Sequence, residues 1–364
     1  MSPEKSGKTD DPKLRKILMN DLHQGNFKQT FHQEFDDAKE FFLTRERKKQ
    51  LQKMHRIRRW LSLFWWLLKA MFLKLTSFRR ILLVIGIIFV LTSGQNNGRS
   101  GFVGGILILF VLMLELKDKL LAQSELAEGR AVQRALTPEE SPRVPGWDLW
   151  LFTQSANEVG GDLVDFLRIE ENRMGIALGD VSGKGLGAAL LMTKLQATLR
   201  ALAPDLKSLS ELGRKINKIF RRDILPNSFA SLIYAELKPH SKDIRLLNAG
   251  HLPPIILHGS AIEELPKGGL ALGLSSDAAY TEHRVKLELR DTLLVYSDGL
   301  TEAMNEKREL FGEERLFTLL AQNMGLPAKP LGLKLLTAVQ EFIGKAKRTD
   351  DLSLVIMRPM EENG

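Results

Sequence analysis

Two uncharged apolar runs, separated by a short polar turn, place the strongest constraint on how this chain folds. The first extends from Ile81 to Gly98 and the second from Phe102 to Leu114. At 1.5 Å per helical residue, the first run is about 27 Å long, close to the roughly 30 Å hydrocarbon core of a bilayer. Arg80 precedes the two runs and Lys117 follows them. The pattern predicts a two-helix membrane hairpin with both ends on one side; the alternative is a pair of helices buried in a soluble domain.

The net charge of +8 is concentrated upstream of these runs. Residues 1–80 contain 19 Lys and Arg against 9 Asp and Glu, whereas the rest of the chain is close to neutral. A basic arm beside a membrane span favours the cytoplasmic face and anionic lipid. Trp60, Trp65 and Trp66 suit a membrane interface and predict an interfacial helix that contacts lipid. Nucleic-acid binding is the competing use of a basic segment, but we expect no nucleic-acid partner because no recognition motif is present.

These features divide the chain into four predicted regions. Residues 1–59 form a basic polar cytoplasmic arm, and residues 60–114 form a membrane region with the interfacial helix and the two-helix hairpin. Residues 115–145 are polar and helix-prone, which predicts a helical linker that ends near Pro142 because proline lacks an N–H. In residues 146–360, short apolar runs alternate with helical stretches, as in the α+β class. The chain has no cysteine, so neither a disulfide nor a thiolate metal site is available.

The spacing of apolar residues predicts the elements of the last region. A β-hairpin is expected from Leu163–Ile169 and Met174–Gly179. Further strands are expected over Phe229–Leu237, Ile244–Leu247, His283–Leu289, Leu293–Tyr296 and Leu352–Met357. Helices are expected over Leu186–Leu202, Leu209–Arg222, Glu313–Asn323 and Leu331–Lys345.

Four aspartates in glycine-rich or acidic contexts lie at ends of the predicted strands. Asp162 precedes the first hairpin strand and Asp180 follows the second, while Asp298 and Asp350 adjoin two later strands. We expect the four carboxylates to converge on one sheet edge, where their oxygen atoms suit Mg²⁺ or Mn²⁺. A single aspartate in such a place is more often a turn residue that bonds its own backbone. Four together would repel one another strongly without a cation.

The motifs that contain these aspartates, taken in order, resemble those of the bacterial SpoIIE/RsbU-type serine/threonine phosphatases of the metal-dependent protein phosphatase (PPM) superfamily. The resemblance covers roughly residues 125–358. It implies a four-layer αββα sandwich, preceded here by the membrane hairpin and the linker helix. The motifs are Ala131–Pro138, Asn157–Asp162, Gly179–Gly185, Asn248–His251, Tyr296–Glu302 and Asp350–Ser353.

The resemblance also implies that two Mn²⁺ or Mg²⁺ ions bind in this cluster. Asp180 would bridge both ions, and the Val181 carbonyl oxygen would bind one of them. Asp298 and Asp350 would hold the second ion, and Asp162 would complete the cluster. These four aspartates are also the predicted catalytic residues. A fifth, Asp351, would either bind metal through water or cap the last strand.

Three other residues near these motifs have less definite roles. Asp165 is expected to support the site through hydrogen bonds. Lys184, between Gly183 and Gly185, either contacts phosphate or is an exposed turn residue. His251 either protonates the leaving serine oxygen or is a structural histidine.

The function implied by the resemblance is hydrolysis of phosphoserine or phosphothreonine by a water that two metal ions activate. The expected substrate is a phosphorylated regulatory protein such as an anti-sigma-factor antagonist. The protein would lie in the bacterial inner (cytoplasmic) membrane, with the catalytic domain in the cytoplasm and a homodimer through the linker helix. Two other functions stay open: a catalytically silent docking module with the same fold, and a metal-dependent nucleotidyl cyclase. Retention of four aspartates disfavours the first, and the motif order disfavours the second.

Overall fold

The computed structural model describes residues 54–93, 99–259 and 261–360, together with residues 43, 47, 50 and 51. Most of the predicted basic arm (1–59) and the middle of the polar turn (94–98) therefore lie outside the described residues. The chain divides into two compact units, Met1–Lys119 and Leu120–Gly364.

In residues 54–93 and 99–119, the first unit contains two helices and the start of a third. They are α1 (Arg56–Lys74), α2 (Ser77–Leu91) and α3 (Arg99–Leu136), of which α3 continues into the second unit. The predicted interfacial helix is divided between α1 and α2, because Leu75 and Thr76 have extended ψ angles of 147° and 155°. On α1, Leu63 and Leu67 are buried, whereas Trp60 is exposed. α1 therefore has one buried and one exposed apolar face.

The helices α2 and α3 pack against each other at two glycines. A Cβ atom built on Gly86 would lie 3.1 Å from the Gly104 carbonyl oxygen, and one built on Gly104 would lie 2.6 Å from the Gly86 carbonyl oxygen. Arg79 donates to Glu115 and to Asp118, each at 2.6 Å. Small residues at a helix crossing let two backbones approach closely, as is common between helices in membranes. The two apolar runs thus form neighbouring helices.

By length and composition, one helix in the described ranges could cross a membrane, and this is α3. Only 11% of its most apolar window is buried, unlike the core helix of a soluble protein. The helix α2 is also apolar but has 15 residues, which corresponds to about 22 Å. The length and exposure of α3 are consistent with membrane association.

In residues 120–259 and 261–360, the second unit contains two five-stranded antiparallel sheets and four further helices. One sheet has the strand order β1-β10-β9-β6-β7 and the other β2-β3-β4-β5-β8. The strands are β1 (Trp147–Gln154), β2 (Asp162–Glu170), β3 (Arg173–Val181), β4 (Ala230–Leu237), β5 (Asp243–Ala249), β6 (Ile255–His258), β7 (Ala261–Glu264), β8 (Glu282–Lys286), β9 (Thr292–Tyr296) and β10 (Leu352–Pro359). The helices are α4 (Leu186–Leu202), α5 (Leu209–Asp223), α6 (Gly312–Gln322) and α7 (Ala328–Ile343).

Three separate apolar cores give the order of the layers. One core joins α4 and α5 to the β2–β3–β4 sheet and includes Leu195. A second lies between the sheets and includes Ile176 and Val295. The third joins α6 and α7 to the other sheet and includes Trp150 and Leu335. The predicted four-layer αββα sandwich is confirmed.

The sequence predicts most of these elements but misses three strands. The helix α4 has the predicted bounds, and the β2–β3 hairpin forms as expected. The strand β1 is missed because it is buried on both faces and so lacks alternation, and β6 and β7 are missed because each has four residues. Asp298 and Asp350 do not belong to strands: β9 ends at Tyr296, and β10 begins at Leu352.

Candidate functional site

The four predicted aspartates come from both sheets. Asp162 and Asp180 are direct cross-strand partners on β2 and β3. Asp298 and Asp350 flank β9 and β10, which are neighbours in the other sheet. The Ser353 hydroxyl donates to Asp162 Oδ2 at 2.6 Å and so connects the two pairs. The prediction of a single sheet edge is therefore wrong: the cluster lies where the ends of two stacked sheets meet.

A glycine permits the close approach of the segments that carry Asp298 and Asp350. A Cβ atom built on Gly299 would lie 1.8 Å from the Asp351 carbonyl oxygen, so a larger residue would displace the backbone. Two further hydrogen bonds join these segments. Ser297 N–H donates to the Ser353 carbonyl at 3.0 Å, and Ser353 N–H donates to Ser297 Oγ at 2.9 Å. The local sequence Ser297-Asp298-Gly299 thus fixes Asp298 beside the second acidic segment.

The turn between β3 and α4 brings a lysine to the cluster. Gly183 and Gly185 have φ angles of 107° and 72°, which glycine adopts without a steric penalty. Lys184 Nζ donates to the Thr349 carbonyl at 2.7 Å and to Asp350 Oδ2 at 2.9 Å. The exposed-turn interpretation of Lys184 is therefore incomplete, because its ammonium group is paired with a predicted metal ligand.

Burial and mutual repulsion raise the pKa of three carboxyl groups in the cluster. Burial, followed by the charge of Asp180, raises the pKa of Asp162 well above its usual range. Burial and the charges of Asp298 and Asp350 raise the pKa of Asp180 to about 6. Burial and then Asp350 raise the pKa of Asp298. A cation bound among these groups would offset both effects.

The donor atoms suit a hard divalent cation. All are oxygen atoms, and a Cβ atom built on Gly161 would lie 3.1 Å from the Val181 carbonyl oxygen and 3.7 Å from Asp180 Oδ1. This carbonyl, which is one of the predicted ligands, therefore adjoins the cluster. Within the described residues, however, no group of three or more His, Cys, Asp or Glu is arranged so that it could hold a metal ion. The residues fit Mn²⁺ or Mg²⁺ in donor type and charge, while their side chains do not converge on one point.

Asp351 uses both carboxylate oxygens in hydrogen bonds to the loop before Asp162. Asp351 Oδ1 accepts from the Ala156 N–H at 2.7 Å, and Oδ2 accepts from the Gly161 N–H at 2.6 Å. The carboxylate therefore orders this loop. Its metal contact through water stays a prediction.

Asp165 and His251 bond to partners outside the four aspartates. Asp165 accepts from Arg200 Nε at 2.8 Å and from Nη2 at 2.7 Å, which ties β2 to α4. His251 Nε2 lies 3.1 Å from the Tyr296 carbonyl, and Nδ1 lies 2.7 Å from Ser231 Oγ. Burial lowers the pKa of His251 to about 4, so the ring is neutral near pH 7. These contacts favour the structural interpretation of His251 over proton donation.

Sequence reasoning missed a contact between the linker helix and the loop before Asp162. Gln133 Nε2 on α3 donates to the Gly160 carbonyl at 2.8 Å, and the Gly160 N–H donates to Gln133 Oε1 at 3.1 Å. Nearby, Arg130 pairs with Glu158 at 3.1 Å. The signal that could have revealed this contact is a polar residue within the Ala131–Pro138 motif.

Comparison with known protein families identifies the family of this chain. The family described as Stage II sporulation protein E (SpoIIE) matches residues 170–359, slightly more than half of the chain. The chain belongs to the SpoIIE family. The matched stretch contains Asp180, Asp298 and Asp350, and Asp162 lies just before it.

Similar proteins agree with this assignment. Protein IcfG of Synechocystis sp. is 24% identical over 302 residues, which cover 73% of this chain and 47% of IcfG. Phosphoserine phosphatase RsbU of Bacillus subtilis is 26% identical over 241 residues, which cover 65% of this chain and 70% of RsbU. This SpoIIE-family chain thus spans about half the length of IcfG.

A solved structure supports the fold of the second unit. The SiaA-PP2C domain of Pseudomonas aeruginosa has a TM-score of 0.58 at 17% identity and covers 67% of this chain and 99% of that domain. The second unit therefore has the PP2C-type phosphatase fold. Phosphatases of the PP2C family use divalent metal ions.

Proposed function

We propose that this chain is a metal-dependent protein phosphatase that hydrolyses phosphoserine or phosphothreonine in a regulatory protein. The observation that carries the proposal is the meeting of two aspartate pairs from two sheets within a SpoIIE-family fold. RsbU, which is similar over 65% of the chain, is named a phosphoserine phosphatase. From the motif resemblance, the proposed substrate is an anti-sigma-factor antagonist.

The proposed roles follow from where each residue lies. Two Mn²⁺ or Mg²⁺ ions, when bound, would activate a water and neutralise the phosphoryl oxygens. Asp180 would contact both ions, the Val181 carbonyl would bind one of them, and Asp298 and Asp350 would hold the second. Asp162 is the most buried of the four and would complete the cluster.

Two other side chains hold these ligands in place. Ser353 donates to Asp162 Oδ2 and fixes the orientation of that carboxylate. Lys184 pairs with Asp350, and its positive charge offsets part of the repulsion that raises the pKa of Asp298. No nucleophilic side chain would be required, because the oxygen of the water would form the new bond to phosphorus while the bond to the serine oxygen breaks, and a proton from that water would end on the serine oxygen.

We also propose that α2 and α3 anchor the protein in the bacterial inner membrane as a two-helix hairpin, with the catalytic domain in the cytoplasm. The packing of Gly86 on Gly104 and the ion pairs of Arg79 support a hairpin. Because α2 is short, the bilayer would thin locally or Arg80 would extend toward the interface. The exposed Trp60 on α1 would contact lipid at the interface.

We propose the four regions that the sequence predicts: a basic cytoplasmic arm (1–59), a membrane region (60–114), a helical linker (115–145) and a phosphatase domain (146–360). The linker region lies within α3, whose Leu120, Leu121 and Val132 are more than half exposed. These apolar side chains support a homodimer through this helix, as part of the same proposal.

The decisive experiment measures phosphate release by the full chain in lipid nanodiscs, from an aryl phosphate and from a phosphoseryl protein. Release should require Mn²⁺ or Mg²⁺ and should stop on chelation. Asp298→Asn should abolish it, whereas Asp277→Asn, which removes an exposed carboxylate outside the cluster, should retain it. A folded wild-type protein that binds no Mn²⁺ and releases no phosphate would overturn the proposal and favour a docking module.

A further inference from the structure

A basic segment directly precedes Asp350 and has no role in the proposed metal site. It is Lys345-Ala346-Lys347-Arg348, and it follows α7. The contact of Lys184 with Thr349 and Asp350 fixes the next two residues beside the cluster. Three positively charged residues therefore lie within five sequence positions of Asp350.

Arg348 is half-buried but makes no hydrogen bond or ion pair with the part of the chain that the structure describes. The negative charge of Asp351 attracts the guanidinium of Arg348. Both Asp351 oxygens, however, already accept hydrogen bonds from backbone N–H groups. Burying a charge without a partner costs free energy. The charge of Asp351 therefore offsets only part of the cost of burying this guanidinium, whereas a directly bound anionic ligand would offset more of it.

Arg348 lines a cavity of 240 Å³ at the end of β1. Gln154 and Gln340 also line this cavity, and their side-chain amides can donate hydrogen bonds. None of the four aspartates lines it. A phosphoryl group held by the aspartates would therefore leave this cavity free for another part of the substrate.

A second cavity adjoins the one that Arg348 lines. It measures 480 Å³ and shares Ser155 and Ala156 with the first. Lys347 and Leu186, the first residue of α4, are among its lining residues. The loop that leads to Asp162 thus borders two adjoining cavities, each with one cation of the basic segment.

We propose that Arg348 binds an acidic side chain of the substrate protein, on a residue close in sequence to its phosphoserine. This inference rests on the proposed phosphatase function. A carboxylate can accept two parallel N–H bonds from a guanidinium, which makes such pairs strong and specific. Arg348 and Asp350 are two residues apart, so their Cα atoms are at most about 7 Å apart. We therefore expect the acidic residue within about three positions of the phosphoserine.

The test compares two phosphoserine peptides that differ only in Glu or Gln at the flanking positions, with an aryl phosphate as the third substrate. The full chain in nanodiscs with Mn²⁺ should prefer the Glu peptide. Arg348→Ala should raise KM for the Glu peptide about tenfold with little change in kcat, because one charge-assisted pair is lost. KM for the Gln peptide and turnover of the aryl phosphate should change less than about twofold. Lys334→Ala, which removes an exposed charge on α7, is the control.

Other outcomes would overturn the inference. If Arg348→Ala loses activity equally on both peptides and on the aryl phosphate, Arg348 contacts the phosphoryl group or stabilises the fold instead. An unchanged KM of Arg348→Ala for the Glu peptide would show that Arg348 does not bind the acidic side chain. Arg348→Lys distinguishes a bidentate contact, which lysine cannot replace, from simple charge attraction. If the wild-type chain releases no phosphate, the proposed function fails separately, and fluorescence anisotropy of the labelled Glu peptide then decides whether Arg348→Ala weakens binding.

Discussion

A buried ion network in the second unit allows a quantitative prediction. Glu236 is 3% exposed and accepts from Arg173 Nε at 3.0 Å, from Arg173 Nη2 at 2.6 Å and from Arg245 Nη1 at 3.0 Å. Glu236→Gln keeps the shape of the side chain but leaves two guanidiniums without the charge between them. Breaking a buried pair by removing one partner costs about 3–5 kcal/mol. Arg245 keeps its contact with Glu282 at 2.6 Å, so we expect the lower end of this range.

The predicted loss of about 3 kcal/mol corresponds to a fall in Tm of about 6–12 °C for a domain of this size. Thermal unfolding of the full chain, followed by near-ultraviolet circular dichroism, measures it. Glu288→Gln is the matched control, because Glu288 is exposed and its Lys242 partner lies 3.7 Å away. The control should change stability by at most about 1 kcal/mol. A Glu236→Gln protein that melts within about 3 °C of wild type would refute the assignment of a stabilising buried charge.

Two further predictions concern the proposed metal site and the proposed membrane region. Ser353→Ala removes the hydrogen bond to Asp162, and this bond opposes the rise that burial causes in the pKa of that carboxyl group. A hydrogen bond to a charged group contributes about 1.5–3 kcal/mol. We therefore expect the Mn²⁺ affinity measured by calorimetry to fall about 10- to 150-fold. An affinity within about threefold of wild type would contradict this role of Ser353. Because the chain has no cysteine, single cysteines can report the sidedness of the hairpin. A membrane-impermeant thiol reagent should label Gln95→Cys in spheroplasts, and should label Glu139→Cys only after the membrane is opened. Equal labelling of both sites before opening would contradict the hairpin.

Local sequence patterns predict the elements whose two faces differ in polarity. The helix α4 follows a glycine turn and buries residues at helical spacing, so its bounds are readable from sequence. The strand β1 is different, because Trp150 packs in the helix-side core and Leu151 packs in the core between the sheets. A strand buried on both faces has no alternation to detect. Its pairing with β10, as in Trp147 with Pro359, joins distant parts of the chain.

The sequence identifies the donor atoms of the site but not their arrangement. The four aspartates follow from motif order and resemblance, whereas their division between two sheets depends on long-range strand pairing. Asp351 bonds to a backbone N–H 190 positions away, and Asp165 pairs with an arginine 35 positions away. Such partners have no periodic signature. The unpaired state of Arg348 is likewise a property of the folded chain.

The position of β10 has a consequence for synthesis of the protein. Among the strands that the structure describes, it is the last along the chain, yet it lies between β1 and β9 in its sheet and pairs with β1. The β2–β3 hairpin, which carries Asp162 and Asp180, needs only local contacts and can form early. Asp350 and Ser353 join it only after the ribosome has made the end of the domain. A nascent or prematurely terminated chain without β10 therefore has only half of the aspartate cluster, and under the proposed function it would release no phosphate until β10 has been made.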